Sequence, residues 1–143
     1  MQLKQKSLAY ILRNNNSKKE LLVFDHRDEP EVNPQVPGGT VDEGESPELA
    51  MYRELLEETG LSFNKHTLYL GHVNYERVDL NELHERHFFQ FNCEQLNLDL
   101  PNTWTHQVLG EGDDKGLIFD YYWLEINEAR DKLVAEMGSL LID

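Results

Sequence analysis

Gly39–Leu61 reads GTVDEGESPELAMYRELLEETGL, a glycine-bearing loop that runs without interruption into a glutamate-rich segment. Ser46 is a good N-cap, Pro47 suits the first helical position, and Gly60 suits the left-handed position just past a helix end. The stretch therefore predicts a helix over Pro47–Thr59. On that helix Glu54, Glu57 and Glu58 stand at i, i+3 and i+4, which gathers their side chains on one face about 5–6 Å apart at Cβ. Like charges at this spacing repel, so a helix has no structural reason to collect them unless solvent or a cation offsets the cost. Taken alone, such a face is most simply a solvated acidic surface. A hard divalent ion is the alternative, because clustered carboxylates beside a backbone carbonyl suit Mg²⁺ or Mn²⁺ that shares its coordination with phosphate oxygens.

Outward from this stretch, Ser7–Arg13 and Glu20–His26 are apolar, β-favouring runs separated by Asn14, Asn15, Asn16 and Ser17, which predicts a hairpin. Leu68–Val78 and His84–Glu94 form a second expected antiparallel pair. Period-2 alternation puts Phe89, Phe91 and Cys93 on one face, so Cys93 reads as a small core residue. A strand over Phe119–Glu125 precedes a last expected helix from Glu128 to about Leu141. Asn127 is its expected N-cap, and Leu133, Val134, Met137, Leu140 and Leu141 form its apolar side. Strands around one helix, with a second helix closing the chain, predict an α/β fold: an α/β/α sandwich with a mixed β-sheet covered on both faces.

The 143 residues suit a single domain over 1–143, and no internal repeat or linker divides them. No apolar run approaches the roughly 18 residues of a membrane span, so no membrane partner is expected. The start, MQLKQKSLAYIL, lacks a secretory signal pattern, and one cysteine forms no intrachain disulfide; a cytoplasmic location is the expectation. Asp and Glu outnumber Lys and Arg by 27 to 13, for a formal charge of −14. That charge repels a long polyanion, so extended nucleic acid is not an expected partner.

Gly39, Glu45, Arg53, Glu54, Leu55, Glu57, Glu58, Gly60 and Leu61 together resemble the complete Nudix box of the Nudix hydrolase superfamily. With background frequencies such as Gly near 7%, a chance match is on the order of 10⁻⁷. The resemblance implies a Nudix pyrophosphohydrolase, an enzyme that cleaves a diphosphate bond in a nucleoside diphosphate linked to another moiety by attack of metal-activated water. It implies Glu57 and Glu58 as metal ligands, Glu54 as a ligand or as the base that activates water, and the Gly38 carbonyl as a further ligand. Arg53 is implied to orient a helix glutamate, with Gly39 and Glu45 supporting the site. Mg²⁺, with Mn²⁺ as its substitute, is the implied cofactor. A small nucleotide-type diphosphate is the implied partner, and a homodimer is a further expectation because members of such families are frequently dimers.

Outside the box, Glu111, Asp113 and Asp114 in LGEGDDKG, and Glu85 in the strand around His84, are candidates for a further carboxylate. Trp104 is a candidate to stack on a nucleobase, with Trp123 behind it; a buried structural role is the common fate of such rings. The histidines, among them His72, His84, His87 and His106, show no zinc-type spacing. The competing functional reading is a catalytically silent Nudix-fold module that senses a nucleotide. Such a module would have no reason to keep all three of Glu54, Glu57 and Glu58.

Overall fold

The computed structural model describes residues 1–32, 34–63 and 67–142. Its long first strand, β1 (Gln2–Asn15), turns through Asn16 and Ser17, both at positive φ, into β2 (Lys18–His26). This is the expected hairpin, with β1 extending further back than its apolar part. Residues 7–12 are all buried without alternation, the pattern of a strand covered on both faces. The remaining elements are β3 (Gly38–Thr40), α1 (Pro47–Thr59), β4 (Leu68–Arg77), β5 (Glu82–Asn92), β6 (Trp104–Gln107), β7 (Ile118–Glu125) and α2 (Ile126–Lys132).

Among the described residues seven strands form one mixed sheet in the order β4-β5-β1-β2-β7-β6, with β3 paired to β1. β1 runs parallel to β5, from Gln2↔Glu82 to Leu12↔Asn92, and antiparallel to β2 and to β3. Successive β1 side chains feed two cores. Ala9 and Ile11 pack with Phe89, Phe91 and Cys93 under Met51 and Leu55 of α1. Leu8, Tyr10 and Leu12 pack with Phe88 under Ile126 and Ala129 of α2 and under Leu133 and Leu141. The two layers confirm the sandwich with helices on both faces.

Helix α1 starts and ends where the sequence predicts. Ser46 Oγ accepts from the Leu49 amide at 3.2 Å, and Gly60 at φ 79° donates its amide to Leu56 O at 3.1 Å. The closing helix requires correction. It starts at Ile126, with Glu125 rather than Asn127 at the N-cap, and ends at Lys132 instead of continuing to about Leu141. The cause lies in the backbone: Ala135 and Glu136 adopt positive φ of 51° and 59°. The Val134 amide turns away to Pro34 O at 3.1 Å. Of the apolar residues that mimic a helical stripe, Leu133, Met137, Leu140 and Leu141 still reach the core, but as a folded-back tail.

Candidate functional site

The orientation of α1 about its own axis decides where its glutamates point, and its C-terminal end is anchored at nearly every carbonyl. Leu55 O accepts from Thr59 Oγ1 at 2.6 Å, and Glu57 O accepts from the Leu109 amide at 2.9 Å and from His106 Nε2 at 3.0 Å. Glu58 O accepts from Tyr121 Oη at 2.8 Å, and Thr59 O from Trp104 Nε1 at 3.2 Å. The last carbonyls of a helix lack intrahelical donors; for Glu57, Glu58 and Thr59, β6, β7 and the segment after β6 supply them. At the other end Ser7 Oγ donates to Pro47 O at 2.7 Å. Local sequence did not reveal His106 and Tyr121 in this role, because it depends on packing across the sheet.

So fixed, α1 presents Glu54, Glu57 and Glu58 to a cleft of about 920 Å³, which Gly38, Gly39 and Arg53 also line. Arg53 is the hub of the charge network. Its Nε and Nη2 hold Glu45 at 2.8 and 2.9 Å, and Nη2 also reaches Thr40 O at 2.9 Å. Its Nη1 donates to Glu54 at 2.9 Å and to Glu57 at 3.2 Å. The two-pronged bond lowers the Glu45 pKa and raises that of Arg53, which keeps this loop-to-helix clamp ionised. Glu45 also accepts from the Asp42 amide at 3.0 Å, closing the loop on itself.

Glu58 is buried, and its carboxylate accepts from the Gly38 amide at 3.0 Å. Burial pushes its pKa well above the ordinary range. The Gly38 bond opposes that shift, while the negative charges of Glu54, Asp114 and Glu57 add to it. Burial likewise pushes Glu54 up to about 7, with Arg53 opposing. Two carboxyls are thus held where their own charge is expensive. Two glycines keep room beside Glu54 and Glu57. A Cβ on Gly39 would lie 2.2 Å from Glu54 Cδ, and a Cβ on Gly110, at φ 94°, would lie 2.5 Å from Glu57 Cδ.

The candidates outside the box separate. Glu111, Asp113 and Asp114 line the same cleft, and Asp114 contributes to the field on Glu58. Glu85 faces away, bonded to Gln5 at 3.1 Å and His87 at 2.9 Å. The ring of Trp104 stacks on Tyr121 at 4.9 Å while its indole caps α1; the cleft lining does not include it. Trp123 lies under Arg13, 4.1 Å from guanidinium carbon to ring centre. Cys93 is buried, and its pKa is pushed up to about 11 by burial, the signature of an inert thiol.

Among the described residues no three His, Cys, Asp or Glu side chains are placed together so as to hold a metal ion. Glu54 and Glu57 lean on Arg53 and Glu58 on the Gly38 amide. The donor set nevertheless fits a hard divalent ion in its chemistry: all oxygen, clustered on one helix face, desolvated at Glu54 and Glu58, and flanked by glycines that leave space for the carboxylates to turn. Among the described residues no helix is long and apolar enough to cross a membrane.

An RNA pyrophosphohydrolase of Aliivibrio fischeri (strain MJ11) is 63% identical over 30 residues, which is 21% of this chain and 18% of that relative. An oxidized purine nucleoside triphosphate hydrolase of Mus musculus is 49% identical over 53 residues, 36% of this chain and 33% of that relative. The chain therefore matches a third or less of the length of these curated relatives. In three dimensions the fold is shared with the MutT NUDIX hydrolase from Burkholderia pseudomallei, at a TM-score of 0.68 and 20% identity over 99% of this chain and 97% of that one. The NUDIX domain family model matches residues 4–143, and with the glycine loop, the Arg53 clamp and the three glutamates in place, this chain belongs to the NUDIX domain family.

Proposed function

We propose that this chain is a divalent-metal-dependent pyrophosphohydrolase acting on a small nucleoside diphosphate linked to another moiety. One observation carries the reading: Glu54, Glu57 and Glu58 share one cleft wall while burial drives Glu54 and Glu58 toward holding protons. Among the described residues Arg53 is the cation that bonds Glu54 and Glu57, and the Glu58 carboxyl is bonded by a backbone amide alone. A divalent ion is the partner such a set lacks.

Glu57 and Glu58 would hold the ion, with Glu54 and the Gly38 carbonyl beside them and the 111–114 carboxylates within the same cleft. The chemistry that Mg²⁺ or Mn²⁺ would supply there is to offset the negative charge of a diphosphate and of its transition state. Arg53 keeps the glutamates in register by bonding Glu54, Glu57 and the loop residue Glu45. Glu54, set on the same helix face, would accept the proton of the attacking water, a contribution of typically about 10²- to 10⁴-fold. The formal charge of −14 favours small ligands over extended nucleic acid.

The test is release of phosphate or pyrophosphate from a panel of nucleotides, nucleotide sugars and dinucleoside polyphosphates with Mg²⁺ or Mn²⁺, against the same panel in EDTA. Metal-dependent turnover of one class supports the reading and names the substrate class. Binding without turnover would instead favour a nucleotide-sensing module.

A further inference from the structure

The cleft that holds the box glutamates is also lined by basic side chains, although acids outnumber bases by 27 to 13 in the whole chain. Lys4 and Lys6 of β1 and His84 and Arg86 of β5 all line it. The parallel register sets Lys4 directly opposite His84 and Lys6 directly opposite Arg86. Directly opposed like charges destabilise a sheet, so the fold alone gives no reason for the second pair.

Neighbouring carboxylates account for part of this charge. Lys4 pairs with Glu82 at 2.7 Å, and Glu82 also accepts from His84 Nε2 at 2.9 Å. Arg77, at the rim, pairs with Asp79 at 2.8 Å. Lys6 and Arg86 differ: among the described residues neither has a carboxylate within 4.0 Å. Lys6 Nζ donates to Thr40 Oγ1 at 2.6 Å. Arg86 donates through Nη1 to Ala135 O, and its guanidinium lies 3.9 Å over the Tyr75 ring. Arg86 is only 6% exposed. Burial, the largest influence on each, lowers the pKa of both groups, as expected for cations without full compensation.

The other N–H groups of Arg86 have no hydrogen-bond partner among the described residues. No buried side-chain nitrogen or oxygen there is left both sealed from solvent and unbonded. Those N–H groups therefore keep some contact with solvent, on a residue that lines the cleft. A planar guanidinium with free donors beside an ammonium suits a tetrahedral oxyanion, which one takes in a two-pronged manner and the other as a point charge. Glu54 is near enough to raise the Lys6 pKa, so the cationic pair and the carboxylate wall share one field.

We infer that Lys6 and Arg86 form a phosphate subsite for an anionic group on the part of the substrate beyond the diphosphate that is cleaved. A cleft of about 920 Å³ has room for both ends of such a molecule. The substrate class is thereby a nucleotide whose second moiety carries phosphate, as a sugar phosphate or as a longer polyphosphate chain. This deepens the hydrolase reading and rests on it for the word substrate; the anion site itself does not require metal.

The test uses inorganic tripolyphosphate as probe, titrated calorimetrically into the full chain in EDTA. The chain is expected to bind it, Lys6→Arg to retain binding, and Lys6→Gln to weaken it about 10- to 100-fold, the loss of one charge-assisted hydrogen bond. Lys6 carries the test because Arg86 is buried and its loss threatens folding. In turnover, Lys6→Gln should raise KM for sugar-phosphate-linked or polyphosphate-linked nucleotides, whichever the chain uses, by a larger factor than for one without the extra phosphate. No probe binding, or equal binding by Lys6→Gln, overturns the subsite. Lys6-dependent binding with no turnover of any substrate would leave the subsite standing and remove the hydrolase reading. Metal-dependent turnover with Lys6-independent binding would do the reverse.

Discussion

Gly39 abuts the Glu54 carboxyl so closely that a Cβ at that position would lie 2.2 Å from Glu54 Cδ. The neighbouring Gly38 meets backbone instead, its absent Cβ falling 2.3 Å from Ser7 O. The two glycines are therefore constrained for different reasons. Gly39→Ala is expected to displace one carboxylate, leaving the melting temperature nearly unchanged while turnover falls by about 10²-fold, the usual cost of misplacing a reacting group by about 1 Å. Gly38→Ala must push β1 and β3 apart and should cost about 1–3 kcal/mol of stability. Thermal melts and turnover on both variants check the contrast; equal losses of stability would contradict it.

Arg53 bonds Glu45, Glu54 and Glu57 at once with a side chain 29% exposed. Arg53→Ala should cost about 1–2 kcal/mol in metal-free protein, less than a fully buried pair because solvent screens part of the loss. Mg²⁺ should restore part of that stability, since it replaces the missing positive charge. Melting curves with and without Mg²⁺ test this, and a variant that Mg²⁺ does not stabilise would count against cation binding at these glutamates.

Stability of the metal-free protein should fall with rising pH around the site. Glu54 is displaced from 4.5 to about 7 by burial, so the folded chain holds a proton that the unfolded chain releases earlier. Its contribution is complete below about 4.5 and disappears as pH rises through about 7, and amounts to at most about 3 kcal/mol. Glu58 acts in the same direction. Melts in EDTA at pH 5.5 and 8 should show a smaller difference for Glu54→Gln than for the parent chain; an unchanged difference refutes the assignment.

Trp104 supplies an indole N–H to the end of α1 and a ring to Tyr121. Trp104→Phe keeps the stacking and removes the donor, so a loss of about 1 kcal/mol in stability with unchanged KM is expected. A raised KM in urea-insensitive assay conditions would instead return Trp104 to substrate binding.

How much of this was legible in the chain depends on how local its cause is. The bounds of α1 follow from Ser46, Pro47 and Gly60, residues that act on their immediate neighbours, and the first hairpin from the Asn-rich turn. The glutamate face follows from helical spacing alone. The end of α2 was hidden because Ala135 and Glu136 adopt left-handed φ without a glycine to announce it. The short strands β3 and β6 are too brief to show alternation. The Lys6–Arg86 pair joins residues 80 positions apart through a parallel register that no local pattern reveals. The same holds for the caps from His106 and Tyr121.

The central claim is that the α1 glutamates hold a metal ion for hydrolysis of a diphosphate. Its most direct test is phosphate and pyrophosphate release from the nucleotide panel with Mg²⁺, comparing this chain with Glu57→Gln. The side chain of Glu57 bonds only Arg53 among the described residues, so the substitution should leave the fold intact. The account predicts turnover that falls by about 10²-fold or more in the variant, while its melting temperature in EDTA stays close to that of the parent. Turnover by Glu57→Gln equal to that of the parent chain would contradict it.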